Sequence, residues 1–284
     1  MTTPSPSAVP RSSAPRVVGV SLKMYFGHAQ TLEWIEQVGA LARRHEAVVD
    51  GRVRLFVIPG YLAVAPSVAA LAGTGVLVGA QDLASADRGA FTGEVGGPEL
   101  AEVGVAVVEV GHAERRSLFG ETDEVVAEKT AAALRNGLSP VLCIGEVERT
   151  TPEAAAAECV RQLDSALADA VAGPVIVAYE PVWAIGAAEP ASAEYVRAVG
   201  AILKRSIAER PDRVGSSVIY GGSAGPGLLT ALGDDVDGVF LGRFAHDVAA
   251  LEAVLDEALR QAQDGTLRQA QDGTLRQAQG PRTA

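Results

Sequence analysis

The 284-residue chain predicts an α/β fold closed into a (β/α)8 barrel, and three observations carry that reading. Short apolar, β-branched runs recur eight times along it. A helix-sized segment separates each run from the next. With the two low-information ends set aside, about 244 residues remain, close to the ~250 of one such barrel. An open doubly wound sheet usually has fewer strands, and no Gly-rich dinucleotide fingerprint follows the first run.

The strand candidates are VVGVSLK (17–23), VRLFVIP (53–59), VLVGAQ (76–81), VAVVEVG (105–111), PVLCIG (140–145), PVIVAYE (174–180), SSVIYGG (216–222) and VDGVFLG (236–242). Continuous apolar runs suit parallel strands covered by helices on one side and by a packed interior on the other. Helical patterns fill 30–47, the segment after 150, and 191–210. In the second of these, Thr151 is placed to cap, Pro152 to take the first helical position, and Glu153 to complement the positive helix end. Val160, Leu163, Leu167 and Val171 mark one stripe as buried, and Gly173 is expected to stop the helix.

The ends read differently. Residues 1–15 are rich in Pro, Ser and Thr and predict a disordered leader, which sets the barrel domain at 16–260. From 259 the octapeptide LRQAQDGT occurs twice and then begins a third time, in truncated form. Eight residues are too few for a solenoid unit, so 261–284 is expected to be a disordered tail. Composition excludes several function classes. The net charge of −11 and the lack of a Lys/Arg cluster argue against nucleic acid. No apolar run approaches the ~18 residues of a membrane span, which argues against a membrane protein. Two cysteines, Cys143 and Cys159, offer neither a disulfide framework nor a Cys-based zinc site. Without an apolar signal core at the N-terminus, the expected address is the cytoplasm.

In such a barrel, residues just past the C-terminal strand ends share one mouth. Those positions hold Lys23, His112, Glu180, the Gly221-Gly222-Ser223 turn and the Gly242-Arg243 pair. Each alone has an ordinary explanation: a solvated lysine, a structural histidine, a strand-ending carboxylate, a common turn. What singles them out is coincidence, because a base, an electrophile, a cation and two glycine-rich loops all fall at one opening.

The stretches SLKMY (21–25), VEVGHAERR (108–116), PVLCIGE (140–146), AYEPVWAIG (178–186), YGGS (220–223) and DGVFLG (237–242) resemble the triosephosphate isomerase family, in its order and spacing, over about 16–259. The resemblance implies the fold of that family and cofactor-independent, metal-free isomerisation of a small phosphorylated sugar through an enediolate. The following roles come with the resemblance and not from spacing. Glu180 is the base, His112 a neutral imidazole polarising the carbonyl, Lys23 the fixed cation, and Glu114 a partner of Lys23. Gly186, Ser223 and Gly242 cradle the phosphate, Ser21 contacts the substrate, and PVWAIGAAEPA (181–191) is a lid over it. FTGE (91–94) resembles a projecting loop that carries Thr92 into a partner subunit, so a homodimer is implied.

Four departures from the family pattern mark a divergent branch. Ser21 and Leu22 stand where the family has Asn and Trp, and Ala113 where it has Ser. Ala187-Ala188-Glu189-Pro190 replaces the second half of the lid, and Arg243 replaces a glycine. At the mouth, the Arg243 side chain has three readings: it crowds the cavity, pairs with phosphate, or points outward. The reading placed first is interconversion of dihydroxyacetone phosphate and glyceraldehyde 3-phosphate, with glycolysis and gluconeogenesis as the setting. The alternative is a four-carbon ketose phosphate such as an erythrulose phosphate. A third reading is a barrel that binds a phosphometabolite without turning it over.

Overall fold

The computed structural model describes residues 14–186, 190–222 and 224–278. Eight parallel strands close into a barrel in chain order: β1 (Arg16–Ser21), β2 (Val53–Ile58), β3 (Leu77–Ala80), β4 (Val107–Val110), β5 (Ser139–Ile144), β6 (Ile176–Tyr179), β7 (Ser217–Tyr220) and β8 (Gly238–Leu241), with β8 returning to β1. Val18 stands opposite Leu55 on one side and Val239 on the other, which closes the ring. Around it lie α1 (His28–Arg44), α2 (Glu46–Val49), α3 (Val64–Leu71), α4 (Gly97–Val103), α5 (Ala113–Phe119), α6 (Asp123–Arg135), α7 (Pro152–Leu167), α8 (Ala193–Ala208), α9 (Leu228–Leu232) and α10 (Val248–Ala278). Every strand candidate became a strand, within about two or three residues at each end.

The period of two along each strand decides what faces the interior. Val17, Phe56, Ile58, Val107, Val141, Cys143, Ile176, Ala178, Ile219 and Phe240 form an inner cluster that fills the barrel. Val18, Val20, Val108, Val110, Val177 and Tyr179 belong to the larger cluster between strands and helices. Continuing the inward set toward the C-terminal ends adds Ser21 after Val17, Glu109 after Val107, Glu180 after Ala178, Gly221 after Ile219 and Gly242 after Phe240. One alternation therefore stacks an apolar plug under a polar floor.

Local expectations met the structure with two corrections. Thr151 caps α7 by accepting from the Ala154 N–H at 3.3 Å. The helix ends at Leu167, however, not at Gly173, and Val171 is exposed. The buried face is Ala155, Ala156, Cys159, Gln162, Leu163, Ala166 and Leu167. Small residues let this helix lie close on the barrel, so the stripe runs through alanines that a count of large apolar side chains passes over. The second correction concerns the repeat. The segment from 261, expected to be a disordered tail, continues α10 as far as Ala278. Ala262 is buried, and the Gln261 side chain donates to the Leu229 carbonyl. Leu, Arg, Gln and Ala are good helix formers, and extending an existing helix avoids the cost of nucleating one. The expected leader falls almost wholly outside the described residues; Ala14 and Pro15 lead into β1 without regular structure. Among the described residues no helix is long and apolar enough to cross a membrane.

Candidate active site

Lys23, His112 and Glu180, far apart along the chain, line one cavity of about 550 Å³ at the C-terminal mouth of the barrel. Ser21, Glu114, Gly186, Gly242 and Arg243 line the same cavity. Thr92 does not; it sits exposed in the loop after β3. Ser223, and Ala187, Ala188 and Glu189 of the proposed lid, lie outside the described residues.

His112 owes its position to α5. It is the N-cap of that helix, and its Nδ1 accepts the Glu114 N–H at 3.1 Å. An Nδ1 used as an acceptor carries no proton, so the proton of the neutral ring is on Nε2, which faces the cavity. Burial, aided by the nearby Lys23 charge and opposed by Glu114, pushes the imidazole down to about 4. Around neutral pH the ring is thus an uncharged donor. The two arginines of GHAERR anchor the helix behind it. Arg115 bonds Glu121 at 2.6 Å and Asp82 at 2.8 Å, and Lys129 joins the same two carboxylates from α6. Arg116 reaches the Gly111 carbonyl and Asp123.

Glu180 follows β6 and is 6% exposed. Its Oε2 lies 3.6 Å from His112 Nε2, and that oxygen is buried without a hydrogen-bond partner among the described residues. Burial, then the charge of Glu109, raises its proton affinity well above that of an ordinary carboxyl, against the pull of Lys23. A buried, under-satisfied carboxylate beside a cavity is a strong base placed to take a proton from a ligand. Two glycines make room for it. A Cβ at Gly221 would stand 2.6 Å from Glu180 Oε1, and one at Gly145 only 1.8 Å from the Glu180 carbonyl oxygen. Gly221 therefore gives clearance to the Glu180 carboxylate.

Lys23 donates to Glu114 Oε1 at 2.7 Å. Burial works against its charge, but the Glu114 hydrogen bond and the carboxylates at 114, 180 and 109 hold its affinity for the proton above the usual lysine value. Among the described residues it is the one non-glycine position with positive φ, 48°. The Gln81 amide, donating to the Lys23 carbonyl at 2.7 Å, braces that costly backbone.

Arg243 opens a short 3-10 turn after β8, Arg243–His246, which is tied down by Trp34 Nε1 donating to the Ala245 carbonyl at 3.0 Å. Its guanidinium lies over the Tyr25 ring, 5.6 Å from the centroid, and it forms no ion pair among the described residues. Arg243 lines the cavity and keeps an exposed side chain at its mouth. The segment expected to be a lid opens with the 3-10 turn Val182–Ala184, where Trp183 Nε1, Tyr195 Oη and Tyr179 Oη all converge on the buried Glu146 carboxylate.

Reading the sequence missed Glu109, Gln81, Tyr25 and Glu146. Glu109 did have a signal, as the single acidic residue within an apolar strand run, at the inward parity. Glu146 ends the PVLCIGE stretch just past β5, but its partners come from three separate segments.

Comparison with known proteins gives the family. The family model described as "Triosephosphate isomerase" matches residues 16–258. A protein of Pectobacterium atrosepticum named L-erythrulose-1-phosphate isomerase is 52% identical over 251 residues, covering 87% of this chain and 97% of that one. Another with the same name, from Mesorhizobium japonicum, is 40% identical, covering 80% of this chain and 91% of its own length. A triosephosphate isomerase of Synechococcus sp. is 35% identical, with coverage of 80% and 91%. The chain is an isomerase of the triosephosphate isomerase family.

Proposed function

We propose that this chain isomerises a four-carbon ketose phosphate, L-erythrulose 1-phosphate in the first instance, by moving a proton between adjacent carbons. The observation that carries the substrate is the 52% identity, over nearly the whole length, to a protein named for that activity. It favours the alternative over the three-carbon substrate that the sequence reading placed first. Glycolysis and gluconeogenesis then cease to be the expected setting.

The chemistry follows from the groups present. With phosphate on C1 and the carbonyl at C2, the acidic C–H away from the phosphate is on C3. Glu180 takes that proton, and the C3–H electron pair forms the C2–C3 double bond of an enediolate. The His112 Nε2–H and the Lys23 ammonium stabilise the negative oxygen on C2. The imidazole passes a proton to that oxygen and takes one from the C3 hydroxyl; Glu180 returns its proton to C2. The carbonyl is then at C3, so the product is again a ketose, an erythrulose 4-phosphate when numbered from the other end. No atom is gained or lost, and no cofactor or metal enters the balance. The same steps on a three-carbon ketose phosphate give an aldose. A barrel that only binds its ligand has no use for a buried base, which disfavours the third reading.

Phosphate is expected at the glycine-rich side, against the backbone at Gly186, Ser223 and Gly242, with Arg243 as its cation. An arginine held over an aromatic ring, with no carboxylate partner among the described residues, is available for a dianion. We further infer a homodimer in which the Thr92 loop reaches the partner near its lysine; Met24, 95% exposed, and Phe91 present apolar surface beside that path. Sedimentation at micromolar concentration should give twice the chain mass, and a monomer would overturn this assembly. The decisive experiment compares kcat/KM for L-erythrulose 1-phosphate and dihydroxyacetone phosphate. A preference for the four-carbon substrate by an order of magnitude or more is expected; a preference of that size for the triose would overturn the reading.

A further inference from the structure

Glu109 has no assigned part in the steps above, yet it is placed among them. It is 4% exposed, on β4, at the inward parity. One oxygen, Oε2, accepts from Ser21 Oγ at 2.9 Å. The other, Oε1, lies 3.8 Å from His112 Nε2, beyond hydrogen-bonding distance, and has no hydrogen-bond partner among the described residues. Directly below is the apolar plug that includes Val17, Val107 and Val141. Unlike Glu180 Oε2, this oxygen is not sealed from solvent, so a ligand group can reach it and supply the missing bond.

The topology says which ligand group. In a ring of eight strands, β4 is the strand farthest from β8, where the phosphate side begins at Gly242. A 1-phosphoketose held with its phosphate at that side runs across the mouth, carbonyl at His112 and reacting C–H at Glu180. A triose ends at the reacting carbon with its hydroxyl. A tetrulose carries one further hydroxymethyl on that carbon, and it projects past the base, away from the phosphate. His112 Nε2 is flanked by two carboxyls at nearly equal distance, Glu180 at 3.6 Å and Glu109 at 3.8 Å. Glu180 serves the proton on the reacting carbon. Glu109 stands behind Ser21 and His112, which line the cavity, bonded to the one and 3.8 Å from Nε2 of the other.

We propose that Ser21 and Glu109 form the subsite for the terminal hydroxymethyl of the four-carbon substrate, Ser21 by its small size and Glu109 Oε1 as the acceptor for the hydroxyl. Ser21 stands where the resemblance expects the larger Asn, which opens the space. Its hydroxyl fixes the Glu109 carboxyl from the other side. Burial raises Glu109 to about 7, against the Ser21 bond and the Lys23 charge, so near neutrality this carboxyl serves as acceptor when ionised and as donor when protonated. A hydroxyl complements either form. This assignment rests on the four-carbon reading above, and it makes that preference a property of two named residues.

The test is the ratio of kcat/KM for L-erythrulose 1-phosphate to kcat/KM for dihydroxyacetone phosphate, in the full chain and in three variants. Glu109→Leu removes the acceptor, and the ratio is expected to fall by about a hundredfold or more, as for a site built around a substrate hydroxyl. Glu109→Gln keeps shape and a polar end and should retain more of the ratio than Glu109→Leu. Ser21→Asn refills the space with Glu109 still present, and its ratio should fall by about tenfold or more, as for one displaced methylene-sized group. Should Glu109→Leu lose its cooperative melting transition, Ser21→Asn and Glu109→Gln decide the question. Equal losses on both substrates would make Glu109 a support for His112 only and overturn the subsite. Measurable four-carbon turnover whose ratio the variants leave unchanged would overturn the subsite while leaving the substrate reading intact. No four-carbon turnover by the wild-type chain would overturn both.

Discussion

Along the β1, β4 and β6 side of the cavity the groups proposed to react are side chains, each held by named neighbours: Lys23 by Glu114 and Gln81, His112 by the start of α5, Glu180 by the clearance at Gly221. Along β7 and β8 the lining is mostly backbone at Gly221, Gly222, Gly225 and Gly242, and Arg243 is its one charged side chain among the described residues. Proton transfer needs a few atoms at fixed places with tuned proton affinities, which only braced, buried side chains supply. A phosphate dianion is nearly symmetric and stays charged throughout, so backbone N–H groups and one cation serve it equally before and after the reaction. Variants on the first side should therefore change kcat, and variants on the second side KM.

The largest effect tests the first half of that contrast. Glu180→Asp withdraws the carboxylate by about one methylene and should lower kcat at least a hundredfold, with KM changed less. Unchanged turnover would remove Glu180 as the base. Gly221→Ala comes next and crosses the divide, because it follows β7 but presses on Glu180 Oε1. A loss in kcat of up to about a hundredfold is expected from the displaced base; a pure rise in KM would instead return Gly221 to the phosphate side. Arg243→Ala should raise KM by about tenfold, the scale of one partly exposed charge-assisted hydrogen bond, with kcat changed less. Improved triose turnover in that variant would show that the arginine narrows the cavity and does not bind phosphate.

The smallest effect is a displacement along the pH axis. Glu180 must be ionised to act, and its proton affinity is raised, so kcat/KM falls on acidification at a higher pH than an ordinary carboxyl would give. The negative charge of Glu109 is the second cause of that rise. Glu109→Gln removes this repulsion, and the acid limb of the kcat/KM profile should move to lower pH. A limb that stays in place, or moves upward, would mean that the two carboxyls do not sense one another. The His112 imidazole, depressed to about 4, should add no limb near neutrality.

Much of this is legible in the sequence. The eight runs set the strands, because parallel strands buried on both faces must be continuously apolar. The capping residues set the start of α7. Lys23, His112 and Glu180 stood out because three chemically distinct groups occupied the same strand-end position. The legible part stops at α7, where small residues carry the buried face, and at α10, where helix continuation overrode the look of a polar repeat.

The sequence by itself determined the ring of strands, the family, and the strand-end positions of Lys23, His112 and Glu180, because period, composition and motif are properties of neighbours along the chain. Only the tertiary structure decided that Ser21 bonds Glu109 across 88 positions of sequence, that Gly221 exists in part to clear Glu180, and that Arg243 lies over Tyr25. Those are relations between residues on different strands. Their physical cause is the closure of the barrel, which turns one inward parity on eight separate segments into a single polar floor.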